Sequence, residues 1–180
     1  MPRCLQLAGL GSGQVAPNPM VGSVLVYNNR IIGEGYHQRF GEAHAEVNCI
    51  SSVATDDFHL IAKATLYVSL EPCDHQGKTP PCTDLILQHQ ISKVVIGCKD
   101  ISSKVNGRGI EHLRTEGVEV IESVLEKECL ELNKRFFHVE KYGQPYIILK
   151  WAETADGFIA GDSGKTKISN PFSDRIVHQW

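Results

Sequence analysis

Ser69-Leu-Glu-Pro-Cys-Asp-His-Gln-Gly-Lys-Thr-Pro-Pro-Cys82 sets two cysteines at the ends of a loop too polar and too rich in proline to be core. The loop follows Ala64 to Leu70, an apolar run that reads as a strand, and leads into Thr83 to Gln90, which reads as a helix. Upstream, His44 to Val53 has helical spacing, with Ala45, Cys49 and Val53 on one face. Before it, Val21 to Tyr27 and Arg30 to Tyr36 flank Asn28-Asn29, a hairpin signal that predicts antiparallel pairing. Arg3 to Leu10 reads as a short amphipathic helix, set apart by the Pro17-Asn-Pro19 turn. Gly9-Leu-Gly-Ser-Gly13 follows no strand and lacks the Lys-Ser/Thr of a phosphate loop, so it reads as a helix stop. Downstream come a strand at Lys93 to Cys98, a helix at Gly109 to Glu116, a short strand at Val118 to Ile121 and one long amphipathic helix at Ser123 to Val139. Strands separated by helices predict an α/β fold of three layers, a sheet with helices on both faces.

A turn-rich joint, Lys141-Tyr-Gly-Gln-Pro145, divides residues 1–140 from 141–180. The second segment offers one strand, Tyr146 to Trp151, glycine-rich turns, and a final helix at Asp174 to Trp180. It is too short to bury a core of its own. It is expected either to pack on the first domain, with Ile148 and Trp151 as anchors, or to open a second domain that is incomplete.

Composition narrows the function. Of the 180 residues 42% are hydrophobic, ample for a packed core. The net charge of −3 and a pI near 6.2 supply no general basic field, so nucleic acid is not an expected partner. No run approaches the ~18 apolar residues of a membrane span, and the first residues lack a signal-peptide core. The expectation is a cytoplasmic protein without a membrane partner. Six cysteines spread through a chain of this size do not read as a disulfide framework. Cys4, Cys49, Cys98 and Cys129 sit in apolar or helical surroundings and read as packing. Cys73 and Cys82 do not.

With His44, those two cysteines form the ligand set of a catalytic zinc site, two thiolates and one imidazole with a fourth position open. A structural site would need a fourth ligand, which His75 could supply. Against that stands Glu46, two residues from His44 and unneeded by a structural metal. Two thiolates neutralise the charge of zinc, so the metal acidifies its water less than an all-histidine site does, and an added base must help. A carboxylate beside that water can take its proton and return it to a ring nitrogen or a departing amine. Zinc-dependent base deaminases divide the labour in this way within an H-x-E…P-C-x-x-C signature. Here eight residues, not two, separate the cysteines.

His44-Ala-Glu-Val47, Leu70-Glu-Pro-Cys73, Lys78-Thr-Pro-Pro-Cys82, Ala16-Pro-Asn-Pro-Met-Val-Gly22 and Gly33-Glu-Gly-Tyr-His37 together resemble the deaminase domain of the bifunctional riboflavin-biosynthesis deaminase/reductase. The long cysteine spacing is that family's variant of the signature. The resemblance runs from about residue 3 to residue 140. It implies a cytidine-deaminase-like three-layer α/β/α sandwich around a mixed sheet. It also implies one zinc per chain, and a substrate that is a diaminopyrimidinone bearing a ribosylamino 5′-phosphate, whose ring amine becomes a carbonyl. A homo-oligomer, dimer or tetramer, is expected. Gln144-Pro-Tyr-Ile-Ile-Leu-Lys150 and Thr154-Ala-Asp-Gly157 resemble the start of the family's reductase domain, so NADPH is expected only in a longer protein.

The resemblance also assigns substrate contacts to Asn18, His37, His75, Lys78, Thr79 and Arg108. Asn18 offers a donor and an acceptor to a pyrimidinone edge, or is a turn residue. His37 either contacts substrate or caps a strand, and His75 either orders the loop or binds substrate. Lys78 and Thr79 suit a phosphate or ribose, or are solvated loop residues. Asn106-Gly-Arg-Gly109 opens a helix whose N–H groups, with Arg108, could meet an anion. Lys99-Asp-Ile-Ser-Ser103 departs from the family's Asp-Pro-Asn-Pro at the same wall. Two other readings stay open: a zinc deaminase of cytidine, guanine or a tRNA adenosine, and a non-catalytic zinc module for protein contacts.

Overall fold

In the computed structural model, which describes residues 1–76, 80–102, 105–161 and 167–177, Met1–Pro145 and Tyr146–Trp180 are separate compact units. The first unit is built on a five-stranded sheet of order β2-β1-β3-β4-β5, with β1 at Gly22–Tyr27, β2 at Arg30–Tyr36, β3 at Thr65–Leu70, β4 at Lys93–Cys98 and β5 at Glu119–Ile121. β1 pairs antiparallel with both β2 and β3, whereas β3, β4 and β5 run parallel. The hairpin forms at the predicted place, with Asn28 and Asn29 at φ 47° and 59°. Asparagine tolerates that left-handed backbone, and the resulting turn matches the twist of the strands.

Helices cover both faces. α2 (Ala45–Ser51), α3 (Cys82–Gln88) and α4 (Arg108–Thr115) bring Cys49, Ile50, Ile86, Ile110 and Leu113 against Leu25, Leu66, Val68, Val94 and Ile96. On the other face α1 (Pro2–Gly9) sets Cys4 and Leu7 against Val24. α5 (Glu126–Leu132) and α6 (Lys134–Tyr142) bring Cys129 and Phe137 to Leu70 and Cys98. The successive residues Val24 and Leu25 of β1 thus serve opposite faces, which gives the three layers, while Leu70 and Cys98 at the strand ends join the α5–α6 side. Cys4, Cys49, Cys98 and Cys129 are all buried core thiols, as their settings predict. Burial pushes Cys4 and Cys49 up to about 12, far from the reactive thiolate range.

Three expectations change. The single helix over Ser123 to Val139 is two helices, broken at Asn133, where φ is −106° and ψ 21°. Its side chain pairs with a distant backbone segment, a constraint no local periodicity carries. Thr55–Lys63 forms a 3₁₀ stretch that period-3.6 reading passes over, and Asp57 in it pairs with Arg30 at 2.7 Å. In the second unit, the stretch from Tyr146 to Trp151, predicted as a strand, is not in strand conformation. A strand needs a partner for its ladder, and apolar alternation supplies none. The last helix, α7, spans Pro171–Val177 and starts earlier than predicted. The Asn170 side chain accepts from the N–H groups of Phe172 and Ser173, a helix cap, and proline follows it at the first position.

Gly33 and Gly35 of β2 allow α2 to lie directly on the strand. A β-carbon at Gly35 would overlap the Cys49 nitrogen and the Ala45 oxygen, and one at Gly33 would sit 2.6 Å from the Cys49 oxygen. Backbone cannot yield as a flexible side chain does. Gly35→Ala is therefore expected to cost about 2–3 kcal/mol of stability, whereas Gly9→Ala, with open space around it, stays within ~0.5 kcal/mol of the parent. Urea unfolding midpoints check both.

Candidate metal centre and cavity

One edge of the sheet gathers the chemistry. Asn18 precedes β1, His37 follows β2, Glu71 and Cys73 follow β3, and Asp100 follows β4, so five loop positions meet at the same end of four strands. The C-terminal end of parallel strands is where α/β sheets open a crevice. Here a cavity of ≈ 560 Å³ opens, lined by Asn18, His37, His44, Glu46, Cys73 and His75 among others.

His44 stands at the N-cap of α2 and Cys82 at the first position of α3. Cys73 hangs from the end of β3. Two helix N-termini and one strand end thus deliver three donors to one point. His44 Nδ1 lies 3.3 Å from Cys82 Sγ and 3.5 Å from Cys73 Sγ, and all three donor atoms lie within 4.8 Å of one another. A tetrahedral zinc with Zn–S of about 2.3 Å and Zn–N of about 2.0 Å separates its nitrogen and sulfur ligands by about 3.5 Å. Among the described residues no other group of three such side chains converges like this. The donors fit the metal.

Both thiols are free. The Cys82 hydrogen bond, and then His44, push Cys73 down to about 4, while Cys73 and burial push Cys82 well up. The Cys82 N–H also donates to Cys73 Sγ at 3.4 Å. The loop is clipped from outside by Asp74, which accepts from Thr83 Oγ1 at 2.7 Å and pairs with His112 of α4.

Glu46 sits in the first turn of α2, on the cavity wall, and is 3% exposed. Burial, and then the charge of Cys73, push its carboxyl above the ordinary value. Such a group holds a proton well enough to carry it between two reaction partners. His37 is buried as well, its ring 5.6 Å from that of His44. Its Nδ1 lies 3.0 Å from the Ala43 carbonyl oxygen, which only accepts, so Nδ1 carries the proton. Nε2 then accepts from Asn18 Nδ2 at 3.1 Å, and the Asn18 oxygen is left for a ligand. Burial pushes His37 below its ordinary value, in keeping with a neutral ring. His75 lines the cavity too, and its buried Nδ1 has no hydrogen-bond partner among the described residues.

The remaining predicted contacts fare differently. Lys78 and Thr79 lie outside the described residues. Arg108 is not among the residues lining the cavity. The α4 N-terminus, read as an anion site, is taken by the protein's own Glu71, whose carboxylate accepts from the N–H groups of Gly107, Gly109 and Ile110 at 3.0, 3.1 and 3.4 Å and of Asp100 at 3.1 Å. Burial pushes Glu71 up, against the four donors that favour its charged form. The glycines of Asn106-Gly-Arg-Gly109 explain themselves here: a β-carbon at Gly109 would overlap the Pro72 oxygen, and Gly107 has φ of 87°. Sequence reading missed Asn133, Phe136 and Glu140 near this wall. The last two line the cavity from α6, inside a stretch whose periodicity announced only packing.

The chain spans about half the length of the curated relatives it matches. It is 47% identical over 167 residues to riboflavin biosynthesis protein RibD of Actinobacillus pleuropneumoniae, covering 93% of this chain and 43% of that protein. It is 43% identical over 180 residues to RibD of Aquifex aeolicus, covering 99% and 49%. The crystal structure of a diaminohydroxyphosphoribosylaminopyrimidine deaminase/5-amino-6-(5-phosphoribosylamino)uracil reductase from Thermotoga maritima superposes with a TM-score of 0.92 at 46% identity, over 99% of this chain and 51% of that one. The family model for the cytidine and deoxycytidylate deaminase zinc-binding region matches residues 1–98. That match takes in α2, β3, the cysteine loop and α3, more than half of the chain, and the chain belongs to this deaminase family, with its fold.

Proposed function

We propose that residues 1–145 form a zinc-dependent hydrolytic deaminase acting on a diaminopyrimidinone that carries a ribosylamino 5′-phosphate. The observation that carries the reading is Glu46, buried on the cavity wall two residues from His44, where His44, Cys73 and Cys82 converge. Similarity to relatives named for riboflavin biosynthesis supports the substrate class. Zinc held by His44, Cys73 and Cys82 would supply Lewis-acid activation of a water molecule. Glu46 takes the proton of that water as its oxygen bonds to the amine-bearing ring carbon, and passes it to the ring nitrogen. The hydroxyl now on that carbon gives its remaining proton, again through Glu46, to the amine, and the carbon–nitrogen bond breaks to release ammonia as the carbonyl forms. The Asn18 oxygen, oriented by His37, accepts from a ring N–H, and His75 Nδ1 bonds the ligand beside it. Lys78 and Thr79 serve the phosphate. Arg108 is set aside, since Glu71 already takes the backbone donors beside it.

The test is ammonia release by the zinc-loaded protein from a panel of aminopyrimidines and purines, with and without a 5′-phosphate. Release from the phosphorylated diaminopyrimidinone alone is expected. Release from cytidine or guanine instead would reassign the substrate.

Zinc analysis is expected to find about one equivalent per chain, falling below about a tenth in Cys82→Ala, because two protein ligands hold the ion far less tightly than three. Retention of a full equivalent in that variant would move the site elsewhere. Glu46→Gln keeps shape and hydrogen bonding but cannot accept a proton. Its turnover is expected to fall by about 10²-fold or more at unchanged zinc content.

A further inference from the structure

Two walls of the cavity come from parts of the chain far apart in sequence. One is the Pro17-Asn-Pro19 turn; the other is Phe136 and Glu140 on α6. They meet at Asn133. Its Oδ1 accepts from the Met20 N–H at 2.8 Å, and its Nδ2 donates to the Met20 carbonyl, also at 2.8 Å. One amide therefore satisfies both backbone groups of one residue, as a strand neighbour would. The side chain is 3% exposed, so neither bond competes with bulk water. Met20 lies two residues beyond Asn18, and Pro19 between them leaves little backbone freedom to absorb a shift. In the other direction, Asn133 is the break between α5 and α6, and the turn it makes gives α6 its start at Lys134. Phe137 of that helix is buried beside Leu70, and Phe136 and Glu140 reach the cavity.

We infer that Asn133 is a positioning residue of the substrate cavity: by clamping Met20 it sets the spacing between the Asn18 wall and the Phe136–Glu140 wall, and thereby the affinity for the substrate ring. The part concerning substrate rests on the function proposed above. Asn133 touches neither the metal donors nor the water-activating carboxylate, so its removal acts on binding and not on the chemical step.

Two measurements test this on the zinc-loaded full chain. Hydrogen exchange resolved to Met20 is expected to speed up by about tenfold or more in Asn133→Ala, because the amide loses its buried acceptor. In steady-state kinetics the same variant is expected to raise KM about tenfold with kcat within about twofold and zinc content unchanged, as loss of uniform binding requires. Asn133→Asp keeps the acceptor for the Met20 N–H and loses the donor to its carbonyl. It is expected to leave Met20 exchange near the parent while raising KM by a smaller factor, and it decides the question if Asn133→Ala fails to fold. Unchanged Met20 exchange in Asn133→Ala, a fall in kcat at constant KM, or loss of zinc would each overturn the inference. If the parent releases no ammonia from any substrate, the proposed function has failed, and the exchange measurement alone decides whether Asn133 holds the wall.

Discussion

Glu71, immediately after β3, has a carboxylate that accepts four backbone N–H groups, from Asp100, Gly107, Gly109 and Ile110. Hydrogen bonds to a charged group contribute about 1.5–3 kcal/mol each, and four amides left without an acceptor in a buried place would cost comparably. The side chain therefore ties the end of β3 to the segment after β4 and to the first turn of α4. Cys73 follows two residues later. Its position is fixed by this knot before any metal arrives, since Pro72 between them restricts the backbone and its carbonyl lies against Gly109.

The same pattern recurs around the cavity, where several side chains are held by a second group from a different element. His37 is oriented by the Ala43 carbonyl and in turn orients Asn18. Asp74 joins the cysteine loop to α3 through Thr83 and to α4 through His112. Asn133 joins the α5–α6 break to the turn before β1. The sheet supplies the common edge and the hydrogen bonds across it set the fine spacing. Groups held on two sides lose little further freedom when a ligand arrives, which is the physical content of preorganisation.

Much of this was legible in the residues. The strand and helix pattern of the first unit follows from hydrophobic periodicity, and the hairpin from Asn28-Asn29, because both signals are local. His44, Glu46, Cys73 and Cys82 announce themselves by residue type and spacing, since few structural needs call for that set in polar surroundings. Asn106-Gly-Arg-Gly109 reads as an anion site, and the Glu71 carboxylate takes the backbone N–H groups there. A helix N-terminus with glycines does attract a carboxylate, and which carboxylate is a matter of which strand end lies opposite. The run at Tyr146 to Trp151 has the composition of a strand, yet composition does not provide a neighbour.

Sequence by itself determined the five strands and most helices of the first unit, the donors that converge near Glu46 and the absence of a disulfide framework. Tertiary structure alone decided the strand order, with β1 between β2 and β3, and so the common end where four loops meet. It decided the tautomer of His37, the capture of Glu71 by α4 and the division of the long C-terminal helix at Asn133. The physical reason is the same throughout. Periodicity and spacing encode interactions within a few residues, whereas a buried amide that bonds a backbone 113 positions away leaves no trace in its own neighbourhood.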